Sequence, residues 1–217
     1  MATSLAPGDI GFLHYNADGT DNFAFVLLTD IDDSTVISFT DDGWLGAGGF
    51  RTGEGVITWT SDVALGVGTV ITIDTVSGAS IGTAASASGS LNFSGSGDQL
   101  IAFTGDLATP TPIAALNNDG AGVFQADATN TNTSALPTGL TLGFSAAALS
   151  EVDNAAYTGI TTGTIAALRA ALFDAGNWAG DNSANQTFAG GFTVTDAGPD
   201  LIAPMTTQAW RWMPASP

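Results

Sequence analysis

Short runs of β-branched, aromatic and aliphatic residues alternate with polar turns along most of this chain. In Val36–Thr40, for example, Ile37 and Phe39 alternate with Ser38 and Thr40, and successive side chains of a strand point to opposite faces of its sheet. The pattern predicts strands at 10–15, 23–28, 36–40, 55–60, 69–74, 99–103, 113–116, 139–144 and 191–195. Strands of this length and spacing predict an all-β fold, either a β-sandwich or barrel-like antiparallel sheets, with one wet face on the alternating strands.

One segment departs from the strand pattern. Ile165, Leu168 and Leu172 stand at i, i+3 and i+7, which predicts one short helix of about three turns near 164–174, with Thr162 or Thr164 as its N-cap. A shorter helical turn is expected at 145–149. The segment 77–96 is dominated by Gly, Ala and Ser, a composition that favours a loop over a weak strand.

The length of 217 residues suits one domain. We expect an N-terminal arm at 1–8, a single β-rich domain at 9–197 and an extended C-terminal tail at 198–217. Four prolines keep the tail extended, while Trp210 and Trp212 are costly to leave in water. The tail either packs on its own domain or docks on another copy by adding a strand to an exposed sheet edge.

Charge excludes several classes of partner. The chain has 21 acidic residues, of which only Glu54 and Glu151 are Glu, against three Arg and no Lys, for a net charge of -18. Nucleic acid and anionic membrane surfaces are excluded because both require a basic patch. The absence of Cys excludes disulfides and zinc-thiolate sites. No apolar run approaches the ~20 residues of a membrane span, and the N-terminus lacks the basic and apolar segments of a cleavable signal peptide.

The Asp bias bears on metal binding. Asp and Asn in turns either bond the local backbone or present oxygen ligands to a hard cation such as Ca²⁺. The candidate calcium ligands are Asn16, Asp18 and Asp21 in the first turn, Asp41, Asp42 and Glu54 around the Gly-rich segment 44–55, and Glu151 and Asp153, with Asn154 beside them. The competing interpretation is a solvated acidic surface, such as one adapted to salt.

Catalytic constellations are weak. His14 is the only histidine, and its apolar strand favours a structural role over a Ser-His-Asp relay. Glu54 and Glu151 are candidates for a pair of hydrolytic carboxylates, although a chain rich in carboxylates offers many such pairs. The sequence therefore predicts a protein that is not an enzyme.

Several short sequence segments together resemble those of a known family. They are PGDI at 7–10, FAFVLL at 23–28, SFTDDGW at 38–44, RTGEG at 51–55, ITW at 57–59, GDQLIA at 97–102, SALPTGL at 134–140 and EVDNAAYTG at 151–159. The chain resembles a poorly characterised β-rich module of secreted and cell-surface bacterial proteins, often found beside calcium-binding repeats, adhesive domains or secreted hydrolases. The resemblance implies a location outside the bacterial cell, reached without a cleavable N-terminal signal, and a non-catalytic role.

These observations together predict an extracellular structural protein whose copies assemble into a surface filament or layer through the arm and the tail, stabilised by Ca²⁺. Subunits at -18 repel one another, so bound cations or salt must offset that repulsion. The alternative is a calcium-dependent module that binds glycan or surface polymer, with Trp44, Trp59 and Phe50 as stacking platforms. A third possibility is a secreted hydrolase that uses Glu54 or Glu151.

Overall fold

Two six-stranded sheets form the body of the protein. The computed structural model describes residues 1–120 and 122–196. The strands are β1 (Ile10–Asn16), β2 (Asn22–Leu27), β3 (Val36–Thr40), β4 (Val56–Thr60), β5 (Val70–Asp74), β6 (Gly78–Ala79), β7 (Thr83–Ser88), β8 (Gln99–Thr104), β9 (Thr111–Asn117), β10 (Ala146–Ala148), β11 (Asn154–Tyr157), β12 (Thr162–Gly163), β13 (Trp178–Asp181) and β14 (Thr193–Val194). A short helix, α1 (Ile165–Leu172), and a 3₁₀ turn (Ala175–Asn177) complete the elements.

The strands are ordered β13-β11-β1-β2-β5-β6 in the first sheet and β10-β9-β8-β3-β4-β7 in the second. Every pair is antiparallel except β9 with β10, and β12 and β14 form a separate parallel pair. The hydrophobic core lies between the two large sheets, where Phe12 and Phe23 of the first meet Phe39 of the second, and Phe25 packs edge-on against Trp59. The all-β prediction is confirmed in its sandwich-like form, since the two sheets remain separate.

The second sheet is also covered on part of its outer face. Trp44 and Phe50 pack there with Ile101 and Phe103, and the chain at 124–146 lies over them. This second apolar cluster buries Thr40 completely and leaves Ser38 only 7% exposed. The expectation of a wet outer face is therefore wrong at these positions, because alternation in one strand cannot reveal a loop that folds back from a distant part of the chain.

The helix is where the periodicity placed it. The hydroxyl of Thr164 accepts a hydrogen bond from the backbone N–H of Ala167, so Thr164 is the N-cap, while Leu168 and Leu172 are buried. The helix spans eight residues, about two turns instead of three.

Three local predictions are corrected, and two strands were not predicted. Residues 139–144 form turns and not a strand, and 145–149 contains strand β10 instead of a helical turn. Within 77–96, the favoured loop gives way to β6 and β7. β11 and β13 are also strands that the pattern did not indicate, since runs such as Asn-Ala-Ala-Tyr carry little β propensity and depend on neighbouring strands for their hydrogen bonds.

The N-terminal arm packs on its own domain. Leu5 is buried in the main core, the Thr3 hydroxyl accepts a hydrogen bond from Asp32 N, and Gly8 N donates to Ile113 O at 2.8 Å. The predicted tail at 198–217 lies outside the described residues. α1, the one α-helix among the described residues, has eight residues and is too short to span a bilayer.

Candidate functional sites: a buried acidic cluster and two open sheet edges

Five acidic residues gather at one end of the sandwich. The end of β3 lies beside the starts of β4 and β8 because both strands run antiparallel to β3. The side chains just after β3 and just before β4 and β8 therefore lie close together, and the β1–β2 turn of the other sheet lies beside them. We call this set the acidic cluster: Asp21 in the β1–β2 turn, Asp41 and Asp42 after β3, Glu54 before β4 and Asp98 before β8.

Three of these carboxylates hold three consecutive backbone N–H groups of one segment. Asn92 N donates to Asp41 Oδ2 at 2.8 Å, Phe93 N to Asp21 Oδ2 at 2.5 Å and Ser94 N to Asp98 Oδ2 at 2.8 Å. The anchored segment, residues 89–98, thus closes this end of the sandwich, with Leu91 and Phe93 inserted into the main core. The carboxylates supply the hydrogen-bond acceptors that a neighbouring strand would supply to these amides in a sheet.

The same cluster fixes the loop that leads into β4. Gly55 N donates to Asp41 Oδ1 at 2.8 Å, and Glu54 N donates to Asp42 Oδ1 at 3.1 Å. Gly55 lies directly against the backbone of Leu91, where a Cβ atom would collide with the chain. Asp41 therefore bonds two different loops with its two oxygens and joins them.

Burial makes the acidic cluster hard to ionise. Desolvation, with the charges of neighbouring carboxylates, raises the pKa of Asp98 to about 9 and that of Glu54 to about 8. Burial likewise raises the pKa of Asp21 to about 6 and raises those of Asp41 and Asp42. The Arg51 guanidinium offsets a small part of the rise in the pKa of Asp42 and Glu54, but among the described residues it forms no ion pair with either.

Four oxygens in and beside the cluster are sealed from solvent and have no hydrogen-bond partner in the described part of the chain. They are Tyr15 Oη, Glu54 Oε2, Gln99 Oε1 and, opposite Gln99 on β9, Asn117 Oδ1. The Tyr15 phenol lies near the carboxylates of Asp98, Asp21 and Asp41, and burial together with their charges raises its pKa well above the usual value. Gln99 Nε2 donates to Asp98 Oδ1 at 2.8 Å and to the backbone oxygen of Asp41, so its Oε1 faces away from those acceptors.

The sequence identified part of this cluster. Asp21, predicted with Asn16 and Asp18, instead joins Asp41, Asp42 and Glu54. Asp98, Tyr15 and Gln99 were missed as site residues, although Asp98 and Gln99 stand in the GDQLIA phrase that carried the resemblance. Among the residues that the structure describes, no three acidic or histidine side chains are arranged as a preformed metal site. The calcium prediction remains a prediction.

Of the other predicted ligands, Asn16, Asp18 and Asn154 lie together outside the acidic cluster. Asn16 and Asn154 are paired across β1 and β11, and Asn154 Nδ2 donates to Asp18 Oδ2 at 2.8 Å. Asn16 Nδ2 donates to the backbone oxygen of Gln186 at 2.8 Å, so these amides hold the chain after β13 against the sheet. Asp153 accepts Ala17 N through its backbone oxygen, whereas Glu151 lines a surface cavity of about 600 Å³ beside β13.

The aromatic residues proposed as glycan platforms are buried. Trp59 is 0% exposed, Trp44 4% and Phe50 7%, and they pack in the two apolar clusters. That assignment is wrong, because the Gly-rich segment around Trp44 and Phe50 folds inward onto the second sheet. His14 is also buried, accepts a hydrogen bond from Phe188 N on Nδ1 at 3.3 Å, and has its pKa lowered by burial to about 4.

Two sheet edges have no second strand partner within residues 1–120 and 122–196. Among the described strands, β7 pairs only with β4, and β13 pairs only with β11. The side chains of β7 are Thr, Ala and Ser, and five of the six are exposed. β6 and β7 lie together at one side of the sandwich, so β13, at the far end of the first sheet, lies at the opposite side.

Comparison with known proteins found no match to a protein-family model, a curated protein or a solved structure.

Proposed function

We propose that this protein is a structural subunit whose copies associate edge to edge into a filament or layer outside the bacterial cell. The observation that supports this most is the pair of open edges, β7 and β13, at opposite sides of the sandwich. An open edge presents unpaired N–H and C=O groups, which a strand from another chain can satisfy. Two different edges on one subunit allow each copy to bind two neighbours.

The edges lack the devices that usually prevent such pairing. β7 contains no charged residue and no proline over its six residues, and β13 carries one charge, Asp181. The remaining edges are less accessible, since β6 has only two residues and the residues of β10 are buried. Of the 21 acidic residues of the chain, only Asp181 lies on these two strands.

Pairing β7 of one copy with β13 of the next is a heterologous contact, and such contacts propagate into open fibres unless the rotation closes a ring. The tail at 201–217 is proposed as a further contact because its Leu, Ile, Met and Trp side chains gain from burial. The arm no longer serves this role, since it packs on its own domain. Calcium or salt would reduce the repulsion between subunits.

Electron microscopy and analytical ultracentrifugation of the purified protein, with calcium and with chelator, test the proposal. Two variants of equal charge isolate the edge: Ala85→Glu places a carboxylate on β7, and Thr138→Glu places one on an exposed turn. We expect the wild type and Thr138→Glu to form fibres or sheets and Ala85→Glu to remain monomeric. A chain truncated before residue 201 measures the contribution of the tail.

Two outcomes would overturn the proposal. One is a wild-type protein that stays monomeric at all calcium and salt concentrations. The other is equal assembly of Ala85→Glu and Thr138→Glu, which would remove β7 from the contact.

A further inference from the structure

A groove runs along the side of the sandwich where β10 and β13, the last strands of the two sheets, lie next to each other. Ala148 of β10 lines a cavity of about 600 Å³ together with Trp178 and Gly180 of β13. A second cavity, of about 420 Å³, shares Ala148 and Ala175 with the first and continues to Leu142. We call the two cavities together the side groove.

The side groove has room for large apolar side chains. Most of the residues that line it are Gly, Ala or Val, whose small side chains leave the space open. Trp178 forms an aromatic wall, held in place because its indole N–H donates to the backbone oxygen of Leu172 at 3.1 Å. Leu142 is 55% exposed, so its side chain gains from being covered. Pockets of this kind bind the aromatic anchor residues of protein partners.

A neighbour paired at β13 leaves this space unfilled. In the proposed assembly, β7 of the next copy lies beside β13, and the side chains of β7 are only Thr, Ala and Ser. A larger apolar side chain of that neighbour must therefore come from outside β7. Trp210 and Trp212 of the C-terminal segment 201–217 are such side chains, and they are costly to leave in water.

Charge favours the same segment. Glu151 lies in the first cavity and Asp174 in the second, so the side groove carries two carboxylates. The segment 201–217 contains no acidic side chain, and Arg211 stands between its two tryptophans. It therefore approaches an acidic copy with less repulsion than the Asp-rich turns do.

The chain is long enough for this contact. The described residues end at Asp196, whose carboxylate accepts a hydrogen bond of 2.7 Å from Ile165 N at the start of α1. The segment 197–209 leads from Asp196 to Trp210 and spans up to about 43 Å when extended, at about 3.3 Å per residue. Six strands spaced about 4.8 Å apart occupy only about 24 Å. The tail of a neighbour can therefore cross its own sheet and reach the side groove.

We propose that the side groove binds residues 208–213 of a neighbouring copy. Trp210 and Trp212 enter the two cavities, because side chains two positions apart in an extended segment point to the same side. Arg211 then lies at the rim of the groove, where Glu151 is exposed. The assignment rests on the proposed function, because it takes the neighbour to be held at β13.

Fluorescence anisotropy with a labelled peptide of residues 201–217 tests the side groove. The receptor is the full chain with Trp210→Ser and Trp212→Ser, so that its own tail lacks both anchors. We expect the peptide to bind this receptor. Ala175→Trp, which fills the groove from an exposed position, should weaken binding about tenfold or more. Ala108→Trp, in the exposed turn between β8 and β9, is the matched control and should leave the affinity unchanged.

An exchange of charges tests the position of Arg211. Glu151→Arg in the receptor should weaken binding of the wild-type peptide about fivefold, since it replaces an attraction at the rim by a repulsion. A peptide with Arg211→Glu should bind this variant more tightly than it binds the unchanged receptor. Asp33→Arg, which changes the net charge equally at an exposed turn, should leave both affinities unchanged. Equal effects of Glu151→Arg and Asp33→Arg would contradict the contact with Arg211.

The assignment is overturned if the peptide does not bind, or if it binds the Ala175→Trp and Ala108→Trp receptors equally. The wild-type chain, diluted until sedimentation shows monomers, should bind the peptide as tightly as the receptor does. Weaker binding by the wild type would mean that the chain's own tail fills its groove, which overturns the assignment to a neighbour. All of these measurements use monomers, so they separate a failure of the groove from a failure of edge-to-edge assembly.

Discussion

The carboxylate of Asp41 accepts a hydrogen bond of 2.8 Å from the backbone N–H of Asn92, 51 residues away in the chain. This contact joins the end of a central strand to a segment that has no sheet partner of its own. Through its other oxygen, Asp41 also holds Gly55, so one buried side chain connects three parts of the fold.

Replacing Asp41 by Ala should therefore destabilise the protein. The substitution leaves the N–H groups of Asn92 and Gly55 without these partners, and we expect a loss of about 2 kcal/mol after allowing for the carboxylate repulsion that it relieves. Urea unfolding measures the change. Asp33→Ala at the surface is the control and should change stability by less than about 0.5 kcal/mol. Equal stabilities for the two variants would mean that the buried hydrogen bonds contribute nothing net.

Gly55→Ala tests the contact between two loop backbones. A Cβ atom at this position would collide with the main chain at Leu91, which cannot rotate away as a side chain can. We expect a loss of about 2 kcal/mol or more, because the anchored segment must shift. Gly191→Ala, where the added carbon meets nothing within 4 Å, is the matched control in the same unfolding experiment. A neutral Gly55→Ala would contradict the packing described here.

Stability without metal should fall at alkaline pH. The pKa of Asp98 is raised from 3.8 to about 9, and that of Glu54 from 4.5 to about 8. A raised pKa means that the folded state binds the proton more tightly, so the stabilisation is complete below the unfolded pKa and is lost as pH rises through the folded pKa. In chelator, Tm should decrease between about pH 7 and pH 9.

Glu54→Gln is the matching variant for this profile. It cannot ionise at position 54, so its Tm should fall less over the same range than that of the wild type or of Asp33→Asn. A wild-type Tm that is flat or rising up to pH 9 would contradict the raised pKa values of Asp98 and Glu54.

His14 should contribute to the loss of stability at acid pH. Burial lowers its pKa from 6.5 to about 4, so the folded state holds the neutral ring and stability is lost as pH falls below the unfolded pKa. Because His14 is the only histidine, its ring resonances in an NMR titration need no assignment by mutation. We expect no change in the chemical shifts of these ring resonances between about pH 5 and pH 7. A midpoint near 6.5 would show that the ring is solvated.

Salt should promote assembly, whereas it would weaken an interface held by ion pairs. Subunits with a net charge of -18 repel, and the Debye length over which they do so falls to about 10 Å at 0.1 M salt. We therefore expect sedimentation to show larger species as NaCl increases, and Ca²⁺ to act at lower concentration. Dissociation on adding salt would indicate that charged contacts, and not backbone pairing at β7, hold the subunits together.

The local sequence pattern predicted the structure correctly where interactions between nearby residues determine it. β3 spans Val36–Thr40 as its alternation predicts, and the helix begins after Thr164 because a threonine hydroxyl can cap its first turn. β13 was not predictable in this way, since Trp178–Asp181 becomes a strand only by pairing with β11.

The acidic cluster, too, was predictable only in part from the sequence. Composition indicated short carboxylates in turns, and Asp21, Asp41, Asp42 and Glu54 were all named from it. Nothing in the order of residues shows that Asp21 and Asp98 meet Asp41, because that meeting depends on how two sheets stack.

By itself, the sequence determined the all-β class, the position of the helix and a strong negative charge with almost no cations to pair it, since these follow from periodicity and composition. Tertiary structure decided which carboxylates are buried together, which aromatic residues are hidden and which edges stay open. The physical reason is that burial and strand pairing are set by contacts between distant segments, and a carboxylate in a turn has the same local sequence whether it faces water or the backbone of another loop.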